Sequence, residues 1–353
     1  MRATKGIFVQ HQSPFPVVTP DRKWFMNTCP VRPHRGLRAI LILIGLAGSL
    51  AAQPAPEFKG IQSLTNHETL LNLNAPTGLN YRIEVSTNLP VWQSLLTLLS
   101  TGLQQNTDSA TPFLGLRFYR AVQLTGTNIL TGDNIVTDDG DVVVHPVNHA
   151  SFVMSWNGKM IYNDPVGAAT LYQGMPKADL LLISHDHSDH YSTSTISSVQ
   201  GTNTVIIVPQ YIYNLSSFTS FRSKAVVLPN GASTNLMGLT IQAIPAYNSY
   251  HPQANGYNGY VLTVGGKRIF MSGDTGNIAE MRALTNIDVA FVCMNMPYTM
   301  TVNEATNAVR AFHPKVVYPY HYRDQSGAVT NAASFKKLLG TGPGIEVRLR
   351  NWY

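Results

Sequence analysis

The stretch LLLISHDHSDH at residues 180–190 constrains this chain more than any other. Its apolar run at 180–183 reads as a buried strand, and four candidate ligands follow within six residues: His185, His187, Asp189 and His190. A strand that runs straight into such a loop presents imidazole and carboxylate together at the edge of a sheet. Neutral imidazole nitrogen and carboxylate oxygen suit zinc, with manganese or iron as the other candidates, and the lack of sulfur argues against a cysteine-bound structural zinc. A solvated polar loop would explain one His-x-His pair. It gives no reason to place three histidines behind a buried strand, so this loop is expected to bind metal.

Three more candidates each fall just beyond an expected strand: His251 in AYNSYHPQANGYNGY, Asp274 in FMSGDTG, and His321 in VVYPYHYRD. Strand ends are where a sheet scaffold holds reactive side chains rigidly, and the recurrence strengthens each assignment.

With 353 residues the chain has room for two domains, each with its own core. Charged residues make up only 12%, which suits a strand-rich exported protein better than a charged helix bundle. The net charge of +6 invites a nucleic-acid partner, but seven of the 25 basic residues and only one of the 19 acids precede residue 53. The remainder is balanced, so nucleic-acid binding has no electrostatic support and a small-molecule substrate is expected instead. Of the two cysteines, Cys29 lies in this basic leader and Cys293 in the apolar VAFVCMN, where a buried thiol is expected.

Residues 1–52 read as a leader with a secretory signal. Arg32, Arg35 and Arg38 precede an apolar run at 39–50, and Ser49, Ala51 and Ala52 offer a cleavage site. That run falls short of the roughly 20 apolar residues a membrane span needs, so a secreted or periplasmic product without a stable span is expected, anchored only if the segment stays uncleaved. A linker at 53–57 leads to a small β-sandwich module at 58–131, with strands in LNYRIEVSTN, VWQSLLTLL and LRFYRAVQL. Tyr81, Trp92 and Phe118 there are expected in its core rather than on a sugar-binding face. From 132 to 353 strands alternate with helices. Asn157-Gly158 marks a hairpin, Gly265-Gly266 another, and Thr301 with Glu304 forms a capping box before a helix. Helices are also expected at IAEMRAL and NAASFKKLL, and a last strand at IEVRLR. The fold class is α/β (α+β): a four-layer αββα sandwich preceded by a small all-β sandwich. Ser334-x-x-Lys337 lacks the companion motifs of a serine hydrolase, and no G-x-S-x-G or P-loop occurs.

HDHSDH together with His251, Asp274 and His321 resembles the metallo-β-lactamase-fold hydrolases. Asn148-His149-Ala150-Ser151-Phe152, Asp164-Pro165, PAYN, GDTG and PYTM are similar to a little-characterised branch of Zn-dependent hydrolases, related to ascorbate-phosphate lactonases and to the phospholipase D type that cleaves N-acyl-phosphatidylethanolamines. The 58–131 segment is similar to an accessory β-module attached to many exported bacterial proteins. The resemblance implies two metal ions, one on His185, His187 and His251, the other on Asp189, His190 and His321, with Asp274 bridging. It implies a metal-activated hydroxide that cleaves an ester, lactone, amide or phosphodiester. Asp189 would orient water or accept its proton, His149 and Asp164 would orient ligands or contact substrate, and Tyr298 would donate to an oxyanion. His187 stands where oxygen-reducing di-iron relatives carry Glu, which favours hydrolysis over redox chemistry. Loops at 210–219 and 247–258, rich in Tyr and Phe and poor in charge, are expected to face the substrate. The contrasting expectation is an exported surface binding protein in which the metal domain is structural or inactive.

Overall fold

A computed structural model describes residues 54–114, 116–323, 326–329 and 331–352. The expected leader and signal at 1–52 lie outside them. The chain divides into two compact units, one ending at Thr125 and the other beginning at Gly126, against an expected boundary at 131/132.

The first unit is all β: β1 (Glu57–Ser63), β2 (Thr69–Asn74), β3 (Asn80–Ser86), β4 (Gln93–Leu99), β5 (Leu103–Asp108) and β6 (Phe118–Gln123). Antiparallel β1-β2-β5 faces antiparallel β4-β3-β6 across one apolar core. The period-2 rule places Leu71 and Leu73 of β2, Tyr81, Ile83 and Val85 of β3, and Tyr119 of β6 in that core. Buried Asp108 at the end of β5 receives Arg117 Nε at 2.8 Å and the Tyr119 hydroxyl at 2.9 Å, tying the second sheet to the first. Tyr81 is buried, and the Trp92 ring carries the Arg120 guanidinium 4.3 Å above it.

In the second unit, β7 (Gly132–Ile135), β8 (Val142–Asn148), β9 (Ser151–Trp156) and β10 (Lys159–Asn163) are antiparallel neighbours. Parallel strands β11 (Ala178–Leu182), β12 (Gln200–Val208) and β13 (Ala225–Val227) extend that sheet from β10, with helices α1 (Thr193–Val199) and α2 (Gln210–Asn214) in the crossovers. The second sheet repeats the plan. Four antiparallel strands, β14 (Ser233–Leu236), β15 (Leu239–Pro245), β16 (Asn258–Val264) and β17 (Lys267–Met271), are followed by parallel β18 (Val289–Cys293), β19 (Val316–Tyr320) and β20 (Glu346–Val347). Helices α3 (Ala279–Arg282), α4 (Val302–Phe312) and α5 (Asn331–Leu339) make those crossovers. The repeat is one of topology, four antiparallel then three parallel strands, and has no counterpart in the sequence.

Both hairpin signals hold: Asn157 and Gly158, and Gly265 and Gly266, are consecutive positive-φ pairs, the geometry that matches strand twist. Strand β11 shows how the layers arise. Leu180 and Leu182 enter the core shared with the second sheet, whereas Leu181 and Ile183 face a separate cluster with Ile196 and Val199 of α1 and Ile212 of α2. A strand buried on both faces must read as a continuous apolar run, which is why 180–183 does. On the far side Ala305, Val309 and Phe312 of α4 join the core of the second sheet, completing four layers.

The capping box is present: Thr301 Oγ1 accepts from the Glu304 amide at 3.1 Å, and the Thr301 amide donates to the Glu304 carboxylate at 2.8 Å. His313 caps the other end in the left-handed conformation. Two expectations shrink. The IAEMRAL helix is a single turn, Ala279–Arg282, and its Ile278 N-cap offers no side-chain acceptor. The IEVRLR strand pairs only at Glu346 and Val347 before Arg348 turns to an internal ion pair with Glu346. Among the described residues no helix is long and apolar enough to cross a membrane.

Candidate metal centre

Parallel strands point their carboxyl ends to one edge, and open α/β sheets bind ligands there. The ligand loop at 185–190 follows β11, Asp164 follows β10, Asp274 follows β17, and His321 follows β19 directly. His251 comes from the loop between β15 and β16, and His149 from the two-residue turn between β8 and β9. A register shift between Pro146 and Asn148 precedes that turn. His149, Asp164 and His321 all have positive φ, at 57°, 40° and 47°. Strained non-glycine backbone of this kind persists only where its surroundings enforce it, and three such residues meet at this edge.

The seven expected ligands converge. Asp274 sits between two groups of imidazoles: its Oδ1 lies 3.2 Å from His190 Nε2 and 3.4 Å from His321 Nε2. Its Oδ2 lies 3.5 Å from His251 Nε2 and 4.0 Å from His185 Nε2. His251 Nε2 also lies 3.1 Å from His187 Nδ1, and Asp189 Oδ2 lies 3.4 Å from His321 Nε2 and 3.1 Å from His149 Nε2.

Behind these atoms a polar web fixes the rings. Buried Asp164 accepts from the Ser184 amide (2.7 Å), the Ser184 hydroxyl (2.7 Å) and His190 Nδ1 (2.8 Å). Ser184 Oγ, having given its proton to Asp164, accepts from His185 Nδ1 at 2.9 Å. Asn248 Oδ1 takes His251 Nδ1 at 3.0 Å, while its amide donates to the Tyr298 carbonyl at 3.0 Å. In each case the Nδ1 proton is engaged, which leaves Nε2 as a lone pair aimed at the cluster. The sequence pointed to Asp164 but not to Ser184, and placed Asn248 only within the PAYN motif. No residue-type signal separates such partners from ordinary loop polars.

Burial strips charge from some rings and carboxylates restore it to others. Burial, then His190, push His185 well below the usual imidazole range, and burial lowers His251 to about 4. Burial also opposes charge on His190 and His321, but Asp274 outweighs it and raises both. Asp274 is held well below the carboxylate range by His321 and His190 against the cost of burial.

The donor set fits a metal. His185 Nε2, His190 Nε2, His321 Nε2 and Asp274 Oδ1 are buried polar atoms without a hydrogen-bond partner. Orphaned buried polar atoms are costly unless something satisfies them, and four sharing one spot call for a cation. Among the described residues three trios have ligand atoms within 4.8 Å of one another: His185–His187–His251 and His185–His190–Asp274, which share His185, and His149–Asp189–His321.

Tyr298 stands half-buried with its ring 5.3 Å from Tyr250. Of the aromatic loop residues, Tyr211 and Tyr250 are exposed, but Phe218 is fully buried in the α1–α2 cluster and Tyr213 lies under Arg222. The expectation that Phe218 faces substrate is corrected by that packing.

Residues 144–321, just over half the chain, match the family model described as the β-lactamase superfamily domain. The chain belongs to that superfamily. A metal-dependent hydrolase of Pyrococcus abyssi is 28% identical over 214 residues, 56% of this chain and 92% of the relative. The crystal structure of a metal-dependent hydrolase from Parabacteroides distasonis aligns with TM-score 0.55 and 36% identity, over 63% of this chain and 99% of that one. A metallo hydrolase of Ignicoccus hospitalis, 24% identical with TM-score 0.53 over 60% of this chain and 95% of that one, shares the fold. This β-lactamase superfamily member thus has homologues named metal-dependent hydrolases.

Proposed function

We propose that this chain is a metal-dependent hydrolase with a dinuclear centre, most simply of zinc. His185, His187 and His251 would hold one ion, Asp189, His190 and His321 the other, with Asp274 between them. The observation that carries this is the division of Asp274: one oxygen faces His190 and His321, the other His185 and His251. When bound, such ions supply Lewis acidity and make water nucleophilic near neutral pH.

The chain's own residues do the rest. Asp189 keeps 43% of its side chain exposed whereas Asp274 is sealed, so Asp189 is the carboxylate that meets incoming water, orients it and takes its proton. His149 holds Asp189 Oδ2 in place at 3.1 Å. Tyr298, anchored through its carbonyl to Asn248, offers its phenol to an oxygen of the substrate. The segments at 185–191, 210–219, 247–258, 272–278 and 295–301 contain no Lys or Arg, while Tyr211 and Tyr250 are exposed on them. The exposed tyrosines lean the proposal toward an uncharged small-molecule ester, lactone or amide, with a phosphodiester, whose charge the metal ions themselves could meet, as the other outcome of the panel. Export, on the strength of the segment at 39–52, belongs to the same reading and is tested by N-terminal sequencing of the native protein.

A panel of esters, lactones, amides and phosphodiesters, assayed with metal-loaded wild type and Asp189→Ala, tests the proposal. Turnover of an uncharged substrate by wild type, reduced at least about 100-fold in the variant, is expected. Metal-loaded protein equally inert in both forms would overturn it.

A further inference from the structure

Resting on the dinuclear reading above, the first trio of imidazoles has a support that belongs to neither the ligands nor the web behind them. Tyr257, only 4% exposed, lies among all three rings: its centroid is 5.3 Å from His185, 6.1 Å from His251 and 6.4 Å from His187. Its hydroxyl donates to Asp186 Oδ1 at 2.5 Å and accepts from Asn255 Nδ2 at 2.9 Å. Asp186 sits between His185 and His187 on the ligand loop, and Tyr257 closes the loop that carries His251. The backbone on either side is fixed too, by Ala246 N to Tyr257 O at 3.0 Å and Asn258 N to Ser184 O at 3.1 Å. The Tyr257 hydroxyl thus ties the closing residue of the His251 loop to Asp186 of the 185–190 loop, and Tyr211 packs edge-on against the outer side of the ring at 5.4 Å.

We propose that Tyr257 and Asp186 form a clasp that positions His185, His187 and His251 and sets the affinity of the first cation site without ligating the ion. His187 is exposed and His251 lies on a loop, so neither ring is held by sheet backbone. The clasp joins their two loops and wedges an aromatic face between them. Both residues are positioning residues, and the second site, built on Asp189, His190 and His321, does not lean on them.

The test uses the full chain, stripped with chelator and titrated with Co²⁺ by visible absorption and with Zn²⁺ by metal analysis. Tyr257→Phe and Asp186→Ala are each expected to weaken one equivalent about 10- to 100-fold, the range for lost outer partners of metal ligands, and to shift that equivalent's Co²⁺ bands. The other equivalent stays as in wild type. Asp186→Asn keeps an acceptor oxygen and is expected to restore wild-type binding, and the double variant Asp186→Ala with Tyr257→Phe should be no weaker than either single change. Unchanged affinity in both single variants, or equal weakening of both equivalents, would overturn the clasp. Wild type that takes up one equivalent counts against the dinuclear reading alone, since the variants are judged relative to it. Wild type that binds no ion removes both.

Discussion

Asp164 shows how much of the candidate centre depends on a residue outside the seven converging side chains. It holds left-handed backbone at φ 40° and accepts three hydrogen bonds, two from Ser184 and one from His190, so a single carboxylate fixes His190 directly and His185 through Ser184. An amide cannot accept from all three, because one of its two heads is a donor. Asp164→Asn is therefore expected to lower metal affinity about 10- to 100-fold while the protein still folds, measured by metal titration beside circular dichroism. His251→Ala should go further and leave one ion fewer per chain; full occupancy in that variant would mean another group holds the position. The convergence of the seven candidate side chains was legible because imidazoles and carboxylates recur beyond apolar runs, a pattern packing does not explain. Ser184, Asp186, Asn248 and Tyr257 were not, because a serine, an asparagine or a loop tyrosine has many uses and only the folded arrangement shows which one applies.

Strands and helices were read best where two signals agreed. The run at 180–183 had an apolar sequence and a following polar loop, and α4 had both a capping box and an amphipathic face. Helix α3 and strand β20 were overread because apolar spacing alone cannot say where hydrogen bonding stops. The end of the chain is held by Trp352, fully buried in the core, and by a polar cluster. Asp133 on β7 receives Arg350 Nε at 2.8 Å and the Tyr318 hydroxyl of β19 at 2.7 Å, with Arg348 at 3.9 Å. Burial opposes the Asp133 charge, but Arg350 and Arg348 prevail and lower its pKa below the ordinary 3.8. A depressed carboxylate contributes stability that is complete above its unfolded value and is lost as pH falls through the folded one. Asp133→Asn should thus cost about 3–5 kcal/mol at neutral pH, since it leaves Arg350 without its counterion while Arg348 keeps Glu346. In denaturant melts the gap between wild type and variant should close as pH drops below 3.8. A gap that persists unchanged in acid would mean the charge on Asp133 is not what stabilises β7.

The second unit as a whole is two copies of one topology meeting face to face, and its ligands are divided between them. The first sheet supplies His185, His187, Asp189 and His190, with His149 beside them, and the second supplies His251, Asp274 and His321. A cation held at this edge would be bonded to both halves, adding to an interface that is otherwise an apolar core with a few polar ties such as Tyr318 to Asp133 and Tyr260 to the Ile183 carbonyl. Any ion that binds the folded chain and not the unfolded one stabilises by mass action, about 2.7 kcal/mol per site at 100 times its dissociation constant. For a unit of this size that is roughly 5–10 °C in melting temperature per site. Chelator-treated protein should melt lower by at least that much than protein in excess zinc, and the shift should grow with the logarithm of free metal. The variants separate the two halves' contributions. His251→Ala, which spares the second site, should keep part of the shift, and a second change at His321 should abolish the rest. A melting temperature indifferent to both chelator and added metal would show that the converged histidines and carboxylates do not hold an ion in the folded chain.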